Sequence, residues 1–294
     1  MPKEVERLIA EAQEGQIGRR EFISQVAKLL GSVVLASVLF DSAVGGRAEG
    51  AVVAADDPDL ESGWVDVPAK DYTAFFYHSK PKAGGPFPGV LVISENRGVD
   101  EHIQDVTRRF AKEGYFAAAP DTISRFGGIR ELGKEAAMGM TSGMRSDIVL
   151  DVVKTTFDYL RRSKGVKADR IGIVGFCFGG GVSLLTATKI PELAACVLFY
   201  GKSPNPISQV KDIKAPVLGL YGGEDKGITS KVPELKKVMD QYGKSFEYQI
   251  YDGAKHAFHN ETRSDRYHPE AARDAWMKTL AFFGKHLRKG GRRA

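Results

Sequence analysis

The chain is short of cysteine: its 294 residues hold two, Cys177 and Cys196. Two thiols cannot form a disulfide framework, and neither stands in a C-x-x-C or Cys/His zinc spacing. It is equally short of charge of one sign. Lys and Arg number 42 against 37 Asp and Glu, a formal net charge of +5, partly gathered at the ends in stretches such as Arg288-Lys289 and Arg292-Arg293. No basic stripe with interleaved aromatics accompanies it, so nucleic acid is excluded as an expected partner. A membrane span of about 20 apolar residues is missing as well: the apolar segment from Val26 to Phe40 is short and interrupted by Lys28. There is no internal repeat and no low-complexity tract. What is present is 43% hydrophobic and 27% charged residues, enough for a full core in one large α/β domain or two small ones.

The first 57 residues read apart from the rest. Gly18-Arg19-Arg20-Glu21-Phe22-Ile23 sets an arginine pair ahead of apolar residues, and the Val26–Phe40 segment follows. That is the layout of an export signal of the twin-arginine type. It predicts a leader over 1–57, a partnership with the twin-arginine export machinery, and a periplasmic or secreted protein. The competing reading is an amphipathic N-terminal helix packed on the domain of a cytoplasmic protein. In its favour, the n-region carries several acids and the small-residue site Val53-Ala54-Ala55 lies far beyond the apolar run. The export reading is preferred, with the domain boundary at the polar break Asp56-Asp57-Pro58-Asp59.

From 58 to 294 strands alternate with helices. Trp64–Pro68 and Tyr72–Tyr77 predict two antiparallel strands, and the wholly apolar Pro88–Ser94 predicts a central parallel one. Asp100–Gly114 has Ile103, Val106, Phe110 and Ala111 on one helical face. Tyr115–Ala119, Ala195–Tyr200, Val217–Tyr221 and Phe246–Tyr251 are further strands. Ile148–Leu160, Val232–Tyr242 and Glu270–Leu287 are helices. The alternation predicts an α/β fold with a mostly parallel, doubly wound sheet and helices on both faces. The weakly periodic stretch 121–146 predicts a short lid-like insertion over the sheet edge.

The chemistry centres on Ile171-Gly172-Ile173-Val174-Gly175-Phe176-Cys177-Phe178-Gly179-Gly180-Gly181. A β-branched strand meets a glycine-flanked residue, and a helix-compatible segment follows. This is the strand–turn–helix form of a nucleophile elbow, G-x-C-x-G. A helix N-terminus under the sulfur would favour thiolate. A buried structural cysteine beside a glycine turn is the plainer alternative; the spacing favours the elbow. A thiol needs a base, and the base needs an orienting partner. In chain order the next candidates are Asp225, after the strand Val217–Tyr221, and His256, after the strand Phe246–Tyr251. Glu224 is the fallback acid. His259 competes with His256, and their His-x-x-His spacing resembles a metal pair, but no third ligand is placed, so no metal and no cofactor is expected. His78, His102, His268 and His286 fall on apparent strand or helix surfaces. An oxyanion would meet the N–H of Phe178 and one from the loop at Glu95 or Asn96. A carboxylate at Glu95 beside a thiolate is out of place there, because like charges raise both pKa values.

These pieces together resemble the dienelactone hydrolase family of α/β hydrolases, over nearly everything after Asp56-Asp57. The cysteine elbow of that family, G-x-C-x-G-G, matches Gly175 to Gly180, and its aspartate and histidine match Asp225 and His256. The resemblance implies an α/β-hydrolase fold and a cofactor-free hydrolase that cleaves an ester or lactone substrate through an acyl-cysteine. It also implies that Glu95 pairs with the resting thiol and moves away when substrate binds. Arginines hold a substrate carboxylate in that family. The position after the histidine is here Asn260, with Arg263 further on, and Arg125, Arg130 and Arg145 compete for the lid arginine. The candidate substrate contacts are accordingly Arg97, Arg125, Arg145 and Asn260. A broad carboxylesterase or thioesterase, or a non-catalytic binding protein on the same fold, are the rival readings.

Overall fold

Strands that read as unbroken apolar runs lie in the middle of one sheet. In a computed structural model, which describes residues 2–14, 16–33, 35–36, 39–40, 52–141 and 143–288, the strands are β1 (Leu60–Pro68), β2 (Thr73–Pro81), β3 (Phe87–Ile93), β4 (Phe116–Pro120), β5 (Val166–Phe176), β6 (Ala195–Phe199), β7 (Val217–Gly222) and β8 (Phe246–Tyr251). Their order is β1-β2-β4-β3-β5-β6-β7-β8. β2 is antiparallel to both β1 and β4, and every other pairing is parallel. All residues of β4, β6 and β7 are buried. Both faces are covered by helices, so these strands need no polar alternation.

The helices are α1 (Lys3–Gln13), α2 (Arg19–Leu30), α3 (Glu101–Lys112), α4 (Ile129–Thr141), α5 (Ser146–Arg162), α6 (Phe178–Ala187), α7 (Lys226–Thr229), α8 (Val232–Gln241) and α9 (Pro269–Phe283). α3 starts where Asp100 accepts the N–H of Ile103, an N-cap that satisfies an otherwise unpaired donor. Its predicted apolar face joins Trp276 and Phe283 of α9 over one side of the sheet. Phe157 of α5, Leu184 of α6 and Leu235 of α8 cover the other side.

Two additions frame the sheet. The stretch predicted as an insertion holds α4, tied down at both ends. Asp121 accepts the N–H of Ile129 at 2.6 Å, and the Thr141 hydroxyl donates to the Asn96 carbonyl at 2.9 Å. Gly98 (φ +74) lies under Ile129 and Ala137, where a Cβ would crowd Ile129 at 2.9 Å. The N-terminal region forms α1 and α2. Val5, Leu8, Phe22, Val26, Leu35 and Leu39 bury one another, and Met277 of α9 packs against them. Ser32 bonds to Glu113, and Val53, within the expected cleavage site, is buried. Part of the expected leader (residues 1, 15, 34, 37–38 and 41–51) lies outside the described residues.

Candidate active site

β5 delivers its last residue into a turn that only small neighbours permit. Cys177 sits at φ 55, ψ −114, in the region that side chains other than glycine seldom adopt. A Cβ on Gly175 would overlap the carbonyl of Gly179, and one on Gly179 would overlap the carbonyls of Ile93 and Ser94. α6 begins at once with Phe178, so the sulfur stands at the C-terminal edge of the sheet. The loops after β7 and β8 reach the same edge. There His256 Nε2 lies 3.0 Å from Cys177 Sγ, and His256 Nδ1 lies 2.5 Å from Asp225 Oδ2. Nδ1–H donating to the carboxylate leaves Nε2 free to accept the thiol proton. Glu224 is exposed and takes no part.

Burial, then the charge of Glu95, push the Cys177 thiol up to about 11, against the pull of the Phe178 N–H. Desolvation outweighs the helix terminus and favours the neutral thiol.

Glu95 is buried, and its oxygens are turned to two other residues. Tyr200 Oη donates to Oε1 at 3.3 Å, and Asn260 Nδ2 donates to Oε2 at 3.0 Å. Among the described residues the side-chain hydrogen-bond partner of the sulfur is His256, not Glu95. Tyr200 escaped the sequence reading. It follows β6 at φ 41, and its ring centroid is 5.1 Å from that of His256. A hydroxyl at the carboxyl end of a central strand was the available signal.

The structure separates the candidate substrate contacts. Asn260 is buried beneath Glu95, and its carbonyl accepts from the Thr262 N–H and hydroxyl, so it is corrected from a substrate contact to an internal support. Arg125 pairs with Asp71 and Asp151 and lies over the Tyr72 ring. Arg145 pairs with Asp147. Both line an open depression of about 600 Å³ that none of Cys177, Asp225 and His256 borders. Arg97 is half-buried beside Asn96.

Three residues past His256, His259 stacks among Phe176, Phe199 and Trp276. Burial, then Arg109, push its pKa down to about 3, so it stays neutral. Among the described residues no cluster of His, Cys, Asp and Glu could hold a metal. His102 is not on the surface as expected. α3 turns it inward to Glu261, 3.2 Å away, and Arg109 bridges Glu261 to Asp105. Asp105 also accepts the N–H groups of Val52 and Val53 at 3.0 and 2.8 Å. Arg108 donates to the Val53 carbonyl at 2.8 Å.

Comparison with known proteins agrees with this architecture. The sequence profile described as the Dienelactone hydrolase family matches residues 75–287. A Methylorubrum extorquens protein provisionally named carboxymethylenebutenolidase is 35% identical over 246 residues, covering 80% of this chain and 84% of its own. A Bradyrhizobium protein provisionally named 2-oxo-3-(5-oxofuran-2-ylidene)propanoate lactonase is 35% identical over 235 residues, covering 76% and 94%. A crystal structure from Klebsiella pneumoniae, provisionally named a dienelactone hydrolase, superposes with a TM-score of 0.71 at 34% identity, covering 77% of this chain and 99% of that one. With the eight-stranded sheet, that superposition shows the α/β-hydrolase fold.

Proposed function

The chain belongs to the dienelactone hydrolase family, and on that premise we propose that it cleaves carboxylic esters or lactones through an acyl-cysteine. The observation that carries this reading is the relay from Cys177 Sγ to His256 Nε2 at 3.0 Å and from His256 Nδ1 to Asp225 at 2.5 Å. His256 takes the thiol proton as sulfur attacks the carbonyl. The N–H of Phe178 and one from the Glu95–Asn96 loop face the oxyanion. Collapse breaks the C–O bond, and the imidazolium returns the proton to the leaving oxygen. Water, deprotonated by His256, then attacks the acyl-cysteine and frees the acid and the thiol. Activity on p-nitrophenyl acetate that survives Cys177→Ala unchanged would overturn this reading.

A broader esterase or thioesterase is the second reading, favoured by one observation: Arg125 and Arg145 already carry carboxylate partners, and Asn260 is neutral and buried. Arg97 remains the candidate for a substrate carboxylate. A panel of acid lactones, neutral esters and thioesters decides. Arg97→Ala raises KM for the acid lactones alone if the first reading holds, and changes no KM if the second does.

Residues 1–57 are proposed as a twin-arginine-type leader that places the protein in the periplasm or outside the cell. The arginine pair ahead of an apolar segment supports it, and Arg20 is exposed. Protein from the native host that begins near Asp56 is the expected product; an N-terminus at Met1 or Pro2 overturns the proposal.

A further inference from the structure

The stretch that leads into β1 is gripped by charged side chains of α3. Asp105 takes the Val52 N–H on Oδ2 at 3.0 Å and the Val53 N–H on Oδ1 at 2.8 Å. Arg108, one turn on, donates from Nε to the Val53 carbonyl at 2.8 Å and from Nη1 to Tyr77 Oη at 3.0 Å. Asp105 and Arg108 are buried, and so is the Val53 side chain, which lies in the core under α3. Both main-chain groups of Val53 are therefore bound by ions that burial leaves few other partners. Farther on, the Asp57 N–H donates to the Ala54 carbonyl at 3.3 Å. That closes a turn with the Ala55–Asp56 bond at its centre. Lys112 Nζ braces the turn from α3, donating to Asp57 at 3.1 Å and to Asp59 at 2.9 Å.

Val53-Ala54-Ala55 is also the small-residue site at which the leader would be cut. A protease takes such a site as an extended strand, through its main-chain groups and alternate side chains. In the folded chain those groups of Val53 are occupied, its side chain is buried, and the bond to be cut is bent into a turn.

We propose that Asp105 and Arg108 form a binding site for the leader's processing junction, and that this site withholds the Ala55–Asp56 bond from proteolysis until the junction lifts off α3. The ligand class is a peptide with two consecutive N–H groups facing a carboxylate and the next carbonyl facing a guanidinium. The proposal rests on residues 1–57 being a leader. Cleavage adds water across the Ala55–Asp56 peptide bond, leaving a carboxylate on Ala55 and an amine on Asp56. Its rate follows the population of the lifted form.

The test is the rate at which elastase, which cuts after small apolar residues, opens the folded full-length chain after residues 53–55, with the new N-terminus read by mass spectrometry. A synthetic peptide of residues 48–62 is the unfolded reference. Wild type is cut there at least about a hundredfold more slowly than the peptide, because only the locally opened form is a substrate. Asp105→Asn and Val52→Pro weaken the same contact from opposite sides, and each speeds the cut by about tenfold, the effect of one hydrogen bond to a charged acceptor. Combined, they stay below about thirtyfold, short of the product expected of independent contacts. Val52→Pro leaves α3 intact and decides the matter should Asp105→Asn not fold. A wild type cut as fast as the peptide, or variants cut no faster than wild type, overturns the proposal. The N-terminus of protein from the native host tests the leader reading by itself: Met1 or Pro2 there refutes the leader without altering what the elastase rates say about the grip of α3.

Discussion

Two histidine–carboxylate pairs each take one member from the loop between β8 and α9, and they do different things. His256 and Asp225 are 2.5 Å apart with side chains 27% and 13% exposed, and the second imidazole nitrogen faces a sulfur. His102 and Glu261 are 3.2 Å apart with side chains 1% and 9% exposed, and the next charge along is the guanidinium of Arg109. The residue types are nearly the same. The first pair keeps an open valence toward a reactive group and toward solvent. The second offers nothing to react with: the other nitrogen of His102 is buried without a hydrogen-bond partner, Arg109 pairs with Glu261, and the assembly ends on the backbone of Val52 and Val53 through Asp105. Proximity of a histidine to a carboxylate does not make a site; an unspent nitrogen beside a nucleophile does.

The sharpest test of this contrast removes the open pair. His256→Ala or Cys177→Ala lowers kcat/KM by roughly 10³-fold or more, while thermal melting moves by no more than about 2 °C, the range of a substitution at a partly exposed position. Asp225→Asn costs about 10²- to 10⁴-fold in kcat by releasing the imidazole tautomer. Steady-state kinetics and melting curves on purified variants check all three. A melting loss as large as the kinetic one would mean that the open pair is structural after all.

Breaking the buried pair has the opposite signature. Glu261→Ala takes one of two carboxylates from the buried Arg109, which keeps Asp105, and removes the partner of His102; the lost hydrogen bonds to a charged group cost about 1.5–3 kcal/mol of stability, read from urea midpoints, while the folded fraction retains kcat/KM within about threefold, the ordinary reach of a change outside the chemistry. The pH dependence follows from the shifts. Burial would raise the Glu261 pKa, but Arg109 and then His102 hold it well below the carboxylate range. That stabilisation is complete above the ordinary carboxylate pKa and is lost as pH falls through the lowered value. Burial opposes charge on His102, but Glu261 outweighs it and raises the pKa. The His102 share is therefore present below its ordinary pKa and lost as pH climbs through the raised one. The advantage of wild type over Glu261→Gln should peak between roughly pH 4.5 and 6.5 and shrink on both sides.

A comparable effect comes from the end of the same assembly. Removing residues 1–55 takes both N–H donors from Asp105, whereas removing 1–40 leaves them. The longer deletion is expected to cost about 2 kcal/mol or more beyond the shorter, the worth of hydrogen bonds to a charged acceptor, with kcat/KM unchanged. Smallest of all is Arg125→Ala. Its partners are surface carboxylates, and the rate on any ester should change by less than about twofold.

How much of this was legible depends on how far apart the partners lie in the chain. The elbow was readable because Gly175 and Gly179 are demanded locally by the approach of α6 to the sheet. Asp225 and His256 each stand just past a strand, in the order the fold requires. The β1–β2 hairpin and the central position of β3 were also carried by local pattern. The hold on Glu95 was not, since Tyr200 and Asn260 are 105 and 165 residues away from it. Nor was the inward turn of His102, whose partner Glu261 is 159 residues on. The weight of burial on the thiol was not legible either: a helix terminus can be read from a sequence, whereas desolvation of one sulfur depends on everything packed around it.

Cys196 lies in β6, fully buried, and burial alone raises its thiol far above the ordinary value. Cys177 is half-buried and reachable. A colorimetric thiol count on the native protein should therefore return one equivalent, rising to two only on unfolding. The molecule carries its own gauge of intactness, and one stoichiometric attachment point for a fluorophore or a resin, without any engineered residue.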